Sequence, residues 1–244
     1  MKKYIHFFGC SFTAGQELAD DEFFPQATDC KTAEEYYKLT SPHISNNLDF
    51  IDMNEYIERC KSLAYPNLIE QINPDWKCVN HAEFGSSIRQ SIYNAIVLIE
   101  KNEQPIDFIV FQIPHYTREF VLDYNEELRS YSINYPLANN NAFNDYLEKS
   151  VMFHSLHHWT IQGLVDMLLF EGYLISKNIK HIFLNLERTN AHSERLMKKF
   201  WRTKLESTID LSLHILGRTV GKHFDQFTHQ NFANVVEIKI KKII

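Results

Sequence analysis

A serine placed where a strand gives way to a helix is the first residue of this chain with evident chemistry. The segment Tyr4-Ile5-His6-Phe7-Phe8-Gly9-Cys10-Ser11-Phe12-Thr13-Ala14-Gly15 is a short apolar run that breaks at a glycine and then presents Ser11. A strand that ends in a Gly-x-Ser turn and feeds a helix exposes the hydroxyl at the C-terminal edge of a sheet, beside backbone N–H groups able to hold an oxyanion. The same strand-glycine-turn is also plain punctuation in α/β proteins, so Ser11 needs partners from elsewhere in the chain. Near the other end, His223 sits in a loop before a segment with Phe232, Val235 and Val236 at helical spacing.

The elements that must hold such residues follow from apolar periodicity. After the first strand, residues 16 to about 60 are acidic and irregular, broken by Asp20-Asp21-Glu22, Phe23-Phe24-Pro25 and Ser41-Pro42, and read as a helix start followed by an insertion or lid. Lys61 to Ile72 carries Leu63, Leu68, Ile69 and Ile72 at helical spacing, with Pro66 suited to a helix start. Cys78-Val79-Asn80 reads as a short strand and Ala82-Glu83-Phe84-Gly85-Ser86-Ser87 as a turn. Ile88 to Glu100 then shows a helical face at positions 88, 92, 96 and 99, with Ser86 or Ser87 as its N-cap.

Ile106 to Ile113 is nearly continuously apolar between Pro105 and Pro114, as a central strand of a parallel sheet would be. Residues 121 to 150 are polar and read as a surface excursion. A long helix is expected from Val151 to Ser176, its buried stripe marked by Ile161, Leu164, Val165, Leu168 and Leu169, followed by a buried strand from Lys180 to Leu186. Alternating strands and helices predict one α/β domain over residues 1–244, a doubly wound parallel sheet in a flavodoxin-like three-layer sandwich. Ligands of such sheets lie at the C-terminal strand ends, which would gather Ser11, Gly85, the stretch from His115 to Arg118 and the loop after Leu186.

Composition narrows the function classes. The formal charge is -6, and no basic stripe interleaves with aromatics, so no nucleic-acid partner is expected. Cys10, Cys30, Cys60 and Cys78 form no CxxC pair, which argues against a zinc ribbon or a disulfide framework and fits a reducing compartment. The apolar run after Met1-Lys2-Lys3 ends at Gly9 and contains His6, too short for a signal peptide, and no stretch approaches the ~18 apolar residues of a membrane span. A cytoplasmic protein without membrane partner, metal or other cofactor is the expectation. His154, His157 and His158 share a helical face at i, i+3 and i+4, but they read as ordinary surface or packing histidines. The first turn lacks Gly-x-Gly-x-x-Gly and Gly-Lys-Ser/Thr, which disfavours a nucleotide binder.

Taken in order along the chain, Gly9-Cys10-Ser11-Phe12-Thr13, Asn80 through Ser87, and His223 with Ala233 ten residues later resemble the motifs of the SGNH (GDSL-type) hydrolase superfamily, and more narrowly its divergent members in phage and bacterial genomes. The resemblance spans residue 4 to about 236. It implies Ser11 as nucleophile, His223 as general base, and the N–H groups of Ser11 and Gly85 as oxyanion donors. The implied substrate is a small-molecule or carbohydrate ester, and a virion-associated location is implied if the protein is phage-encoded. The implied alternative is a non-catalytic SGNH-fold binding or structural module of a phage.

Two positions depart from the family pattern. The aspartate expected two or three residues before the histidine is replaced by Gly221 and Val220, leaving Asp225 as a weak substitute or a Ser11-His223 dyad oriented by a backbone carbonyl. The oxyanion asparagine expected after the central strand has no counterpart among Pro114, His115, Tyr116, Thr117 and Arg118, so Tyr116, Thr117 and Arg118, with Asn80, are the candidate polar lining. His229 fits a helix-start packing role, and Cys10 occupies the family's aspartate position as a buried small residue.

Overall fold

The computed structural model describes residues 2–27, 29–46, 52–114, 118–122, 128–132, 156–185, 208–219 and 223–244; for 37, 41–46, 118–122, 128–132, 156–160 and 208 it describes the backbone alone. Five parallel strands make the main sheet: β1 (Lys3–Phe8), β2 (Trp76–Asn80), β3 (Phe108–Gln112), β6 (Lys180–Asn185) and β7 (Thr208–Asp210), in the order β2-β1-β3-β6-β7. Register is continuous across it, with Ile5 opposite both Cys78 and Phe108, and Val110 opposite Ile182. Strand β7 was not foreseen; it is only three residues long, too short for a periodic signal. A separate antiparallel pair, β4 (Arg118–Leu122) and β5 (Leu128–Ser132), occupies part of the expected excursion.

The period of two along each strand explains why both faces must be covered. Ile5, Phe7, Phe108, Val110, Ile182 and Leu184 point to one face, where they pack with Tyr65 and Ile69 of α5 (Tyr65–Ile72) and Phe232, Ala233, Val236 and Ile240 of α8 (Gln226–Lys241). Phe8, Ile109, Phe111 and Phe183 point to the other. There they meet Ile88, Ala95 and Ile99 of α6 (Ile88–Lys101) and Leu164, Met167, Phe170 and Leu174 of α7 (Leu156–Ser176). The result is an α/β three-layer sandwich of flavodoxin-like strand order, as the sequence predicts.

Of three local expectations, the first is met and two change. Ser87, of the two serines considered, caps α6 by accepting the Gln90 N–H. Lys61 to Ile72 is not one helix: the chain turns extended at Ala64 between α4 (Met53–Leu63) and α5, because Pro66 suits a helix start better than an interior. In α7 the buried stripe runs through Leu164, Met167, Phe170 and Leu174, while Ile161, Val165 and Leu169 are exposed, Leu169 by 70%. A helix apolar on nearly every side carries no periodic clue to which face is inward.

The segment expected to be irregular is instead largely helical. After the short α1 (Ser11–Ala14) it contains α2 (Asp20–Phe23), a 3-10 turn at Pro25–Ala27, α3 (Ala33–Asn46) and most of α4. These pieces have a small core of their own: Ala19, Phe24, Ala27, Tyr36, Tyr56 and Cys60 are all buried and cluster together. Tyr56 packs edge-on against both Phe23 and Phe24. Among the described residues, no helix is long and apolar enough to cross a membrane.

Candidate active site

The turn after β1 is fixed mainly by backbone geometry. Gly9 adopts φ +154°, and a Cβ there would lie 2.7 Å from Gln112 Oε1 and 2.8 Å from Thr13 Oγ1, so only glycine fits. Gln112, buried at the end of β3, accepts the Cys10 N–H at 3.0 Å and the Thr13 hydroxyl at 3.3 Å. Cys10 itself is fully buried. The N–H of Ser11 lies in the first turn of α1, where no preceding helical carbonyl can reach it, and among the described residues it has no hydrogen-bond acceptor.

Helix α1 lasts one turn because Gly15 caps it in the left-handed conformation, φ +77°. A side chain at Gly15 would collide with Cys60 O at 2.7 Å and Ala64 Cβ at 2.8 Å. Two residues later Glu17 also takes a positive φ, +75°, unusual for a residue with a Cβ. That backbone carries the Glu17 side chain inward, where it is fully buried.

The second turn lies alongside the first. Beyond β2, His81 donates to Phe7 O at 2.8 Å and Glu83 to Gly9 O at 3.3 Å, which extends the β1-β2 pairing past the end of the sheet. Asn80 ties the two turns together: its Nδ2 donates to Thr13 O at 3.0 Å and its Oδ1 accepts the Ala82 N–H at 3.1 Å. Gly85 has φ +78°, and the space its Cβ would take is open. Its N–H, like that of Ser11, has no acceptor among the described residues.

His223 reaches the serine from the loop before α8. Its Nε2 lies 3.0 Å from Ser11 Oγ, across 212 positions of sequence. Below it, Thr219 N donates to His223 O at 2.9 Å and Arg218 bridges to Phe224. Phe12 packs between loop and turn, stacked on Phe224 with ring centroids 4.6 Å apart and tilted against His223 at 5.3 Å.

The other imidazole nitrogen, Nδ1, hydrogen-bonds Glu17 Oε1. Glu17 Oε2 accepts the Thr219 hydroxyl, so both carboxylate oxygens are engaged by the His223 loop. The acid absent from the positions before His223 therefore has a counterpart six residues after Ser11, on the opposite end of the chain. Asp225 does not face the imidazole; it caps α8, its Oδ1 accepting the Thr228 N–H at 2.8 Å. No spacing rule could have singled out Glu17, since its placement depends on a one-turn helix and a left-handed residue.

Behind Glu17 stands a second buried carboxylate. Asp20 accepts the Tyr36 hydroxyl at 2.7 Å and the Tyr56 hydroxyl at 2.8 Å. Burial, opposed by those two hydrogen bonds and reinforced by the charge of Glu17, pushes its carboxyl up to about 6. The Tyr56 oxygen in turn accepts the backbone N–H of Glu17 at 3.2 Å.

Of the other sequence-derived candidates, His115, Tyr116, Thr117, Val220, Gly221 and the loop after Leu186 lie outside the described residues, as does His154. Of Arg118 only the backbone is described, as the first residue of β4. His229 is buried at the start of α8, where its Nδ1 accepts the Tyr65 N–H at 3.2 Å, and burial pushes its imidazole down to about 3. Among the described residues no group of three or more His, Cys, Asp and Glu could hold a metal ion.

No protein-family model matches this sequence, and no curated protein does. Solved structures do match along nearly the whole chain. One is a carbohydrate esterase whose active site displays divergent catalytic and non-catalytic binding functions; it is 14% identical, with 99% of this chain and 69% of that chain covered at a TM-score of 0.50. A second is TesA, 11% identical, covered over 99% of this chain and 100% of its own at a TM-score of 0.52. A third, from Desulfitobacterium hafniense and assigned to the G-D-S-L family of lipolytic proteins, is 7% identical with 98% and 99% coverage and a TM-score of 0.52. At such identities the likeness is one of architecture, and it agrees with the order of the motifs along the sequence: this chain has the fold of the SGNH (GDSL-type) hydrolases.

Proposed function

We propose that this protein is a serine hydrolase that cleaves an ester, with Ser11 as nucleophile, His223 as general base and Glu17 as the acid that orients His223. The observation that carries the reading is one imidazole bonded on both sides, to Ser11 Oγ at 3.0 Å through Nε2 and to buried Glu17 through Nδ1. A serine hydroxyl is a weak nucleophile at neutral pH unless a base removes its proton during attack. His223 Nε2 stands within reach of that proton, and a carboxylate on Nδ1 fixes the tautomer that leaves Nε2 free to accept it.

The steps balance without a cofactor. Ser11 Oγ bonds to the acyl carbon as its proton passes to His223, and the carbonyl oxygen becomes an oxyanion. The N–H groups of Ser11 and Gly85, both without acceptors among the described residues, serve as its donors. Collapse of the intermediate breaks the C–O bond, and His223 returns the proton to the leaving alcohol. Water then attacks the acyl-serine by the same route and frees the acid.

The substrate is an ester of a small acyl group, with a carbohydrate O-acyl group favoured because a carbohydrate esterase is among the similar structures. The second reading is a non-catalytic SGNH-fold module, binding or structural, of a phage. It draws on Gln112, which ends β3 near where the family places its oxyanion asparagine but turns its carboxamide oxygen inward to Cys10 N. Purified protein treated with a fluorophosphonate probe and with p-nitrophenyl acetate separates the two. Labelling and turnover are expected for the natural sequence and should vanish in Ser11→Ala. Absent labelling, or labelling equal in both proteins, supports the non-catalytic module.

A further inference from the structure

The buried polar cluster under Glu17 has more structure than a single orienting acid requires. Glu17 and Asp20 are two carboxylates on adjacent turns, 4% and 7% exposed. Removing a carboxylate from water is costly unless donors replace the lost hydration, and bringing two together adds repulsion. The fold meets that cost with named groups: the Thr219 hydroxyl and His223 on Glu17, and the phenols of Tyr36 and Tyr56 on Asp20. The phenols come from α3 and α4, so the segment between residues 16 and 60 supplies the inner wall of the site.

The two phenols are not equivalent. Both donate to Asp20, but only Tyr56 also accepts the Glu17 N–H, at 3.2 Å. Because its one proton points to Asp20, its oxygen lone pairs face Glu17. Asp20 thus orients Tyr56, and Tyr56 holds the backbone of a residue in a left-handed conformation that a side chain disfavours. Glu17 must keep that conformation for its carboxylate to meet His223 Nδ1.

We infer that Asp20 and Tyr56 are positioning residues for the Glu17-His223 pair: Asp20 fixes the Tyr56 hydroxyl, which holds the Glu17 backbone in its left-handed turn and so aims the carboxylate at the imidazole. This rests on the hydrolase reading above. The charge of Asp20 also acts directly. The groups that face it are Glu17 from the turn after α1, Tyr36 from α3, Tyr56 and Cys60 from α4, and His223 from the loop before α8. An ionised Asp20 adds negative charge beside a base that must become cationic during attack.

The test compares Tyr56→Phe, Tyr36→Phe and Asp20→Asn, all in the full chain, with p-nitrophenyl acetate as substrate. Tyr56→Phe is expected to lower kcat roughly tenfold at unchanged KM, the lower end of what losing an outer-shell partner costs in metal sites. Tyr36→Phe removes the same donor from Asp20 but leaves the Tyr56 hydrogen bond to the Glu17 N–H in place, so its kcat should fall clearly less than that of Tyr56→Phe. Asp20→Asn should displace the acid limb of kcat/KM toward lower pH. Equal kcat in the two phenylalanine variants, with the acid limb of Asp20→Asn in place, would overturn the inference and leave a purely structural cluster. Should Asp20→Asn fail to fold, the phenylalanine pair decides alone.

A readout that needs no turnover keeps the two hypotheses apart. The ring protons of His223 are followed by NMR through a pH series in the natural protein and in Asp20→Asn. If Ser11→Ala behaves like the natural protein toward the probe, the hydrolase reading has failed, and this titration then decides the positioning claim. A midpoint moved to lower pH by Asp20→Asn supports it; an unmoved midpoint overturns it.

Discussion

The two sides of the candidate site are built by different physics. On the nucleophile side, Gly9, Gly15 and Gly85 shape the backbone, and the side chains that lock it, Gln112 and Asn80, are neutral amides bonded to nearby main chain. On the acid side, Glu17, Asp20, Tyr36 and Tyr56 are ionisable, buried, and held by bonds from one side chain to another across the turn after α1 and three helices. The first kind of construction tolerates a change of pH, because glycines and amides do not titrate. The second makes position and charge the same variable, so anything that alters one alters the other.

Glu17→Gln is the sharpest way to break the pairing, since it removes the charge while keeping the side chain's size. For the serine-protease triad, the equivalent change in the acid cost about 10⁴ in kcat because the imidazole was held in the wrong tautomer. A loss on the order of 10³ to 10⁴ in kcat is expected here, with little change in KM. Fluorophosphonate labelling should slow in step, while far-UV circular dichroism stays that of the natural protein. If Glu17→Gln keeps full activity, His223 works as half of a dyad and the acid side is only packing.

This difference also sets what could be read from the sequence. Ser11, Gly85 and His223 could be put forward from the sequence because a strand end, a glycine turn and a loop before a helix fall in the order of the motifs they resemble, and the structure brings Ser11 and His223 within hydrogen-bond reach. The sheet was legible for the same reason: Ile106 to Ile113 and Lys180 to Leu186 are continuous apolar runs that become β3 and β6. Glu17 was not. Its neighbours Asp20, Asp21 and Glu22 make it look like one more acid of a solvated stretch, and what separates it from them is a left-handed backbone and two tyrosines from distant helices. Leu169 of α7 fails in the reverse direction. It matches the apolar period and is exposed, because the neighbouring positions are apolar too and Met167 and Phe170 take the inner face.

Titration distinguishes the buried carboxylate from the buried histidines by sign. Asp20 titrates near 6 in the fold against an ordinary 3.8, so between those values the native state holds a proton that the unfolded chain has released. Its contribution to stability therefore falls as pH rises from about 4 to 6. His229 and His81 are pushed by burial from 6.5 down to about 3 and about 4, so below 6.5 it is the unfolded chain that takes up protons. Their contribution is present above 6.5 and is lost as pH falls. Urea denaturation at a series of pH values should show Asp20→Asn gaining stability relative to the natural protein from pH 4 to 6 and holding that gain above. His229→Gln should flatten the decline on the acid side. Curves parallel to the natural protein's in both variants would contradict the assignment.

The smallest expected effect lies on the neutral side and tests whether that side is separable at all. Asn80 bonds Thr13 O with its Nδ2 and the Ala82 N–H with its Oδ1, so it joins the turn that carries Ser11 to the turn that carries Gly85. Asn80→Ala removes both bonds from a half-buried position where water can replace part of them. A loss of about 1 to 2 kcal/mol in denaturation is expected, since each bond contributes a net ~1 kcal/mol. Because neither partner titrates, the loss should be the same at pH 5 and pH 8. Any fall in kcat should come from the oxyanion donors drifting apart, and it should leave the pH profile in place. An Asn80→Ala profile shifted along the pH axis would mean that the two sides communicate through α1, the one-turn helix that carries Ser11 at its start and is followed closely by Glu17.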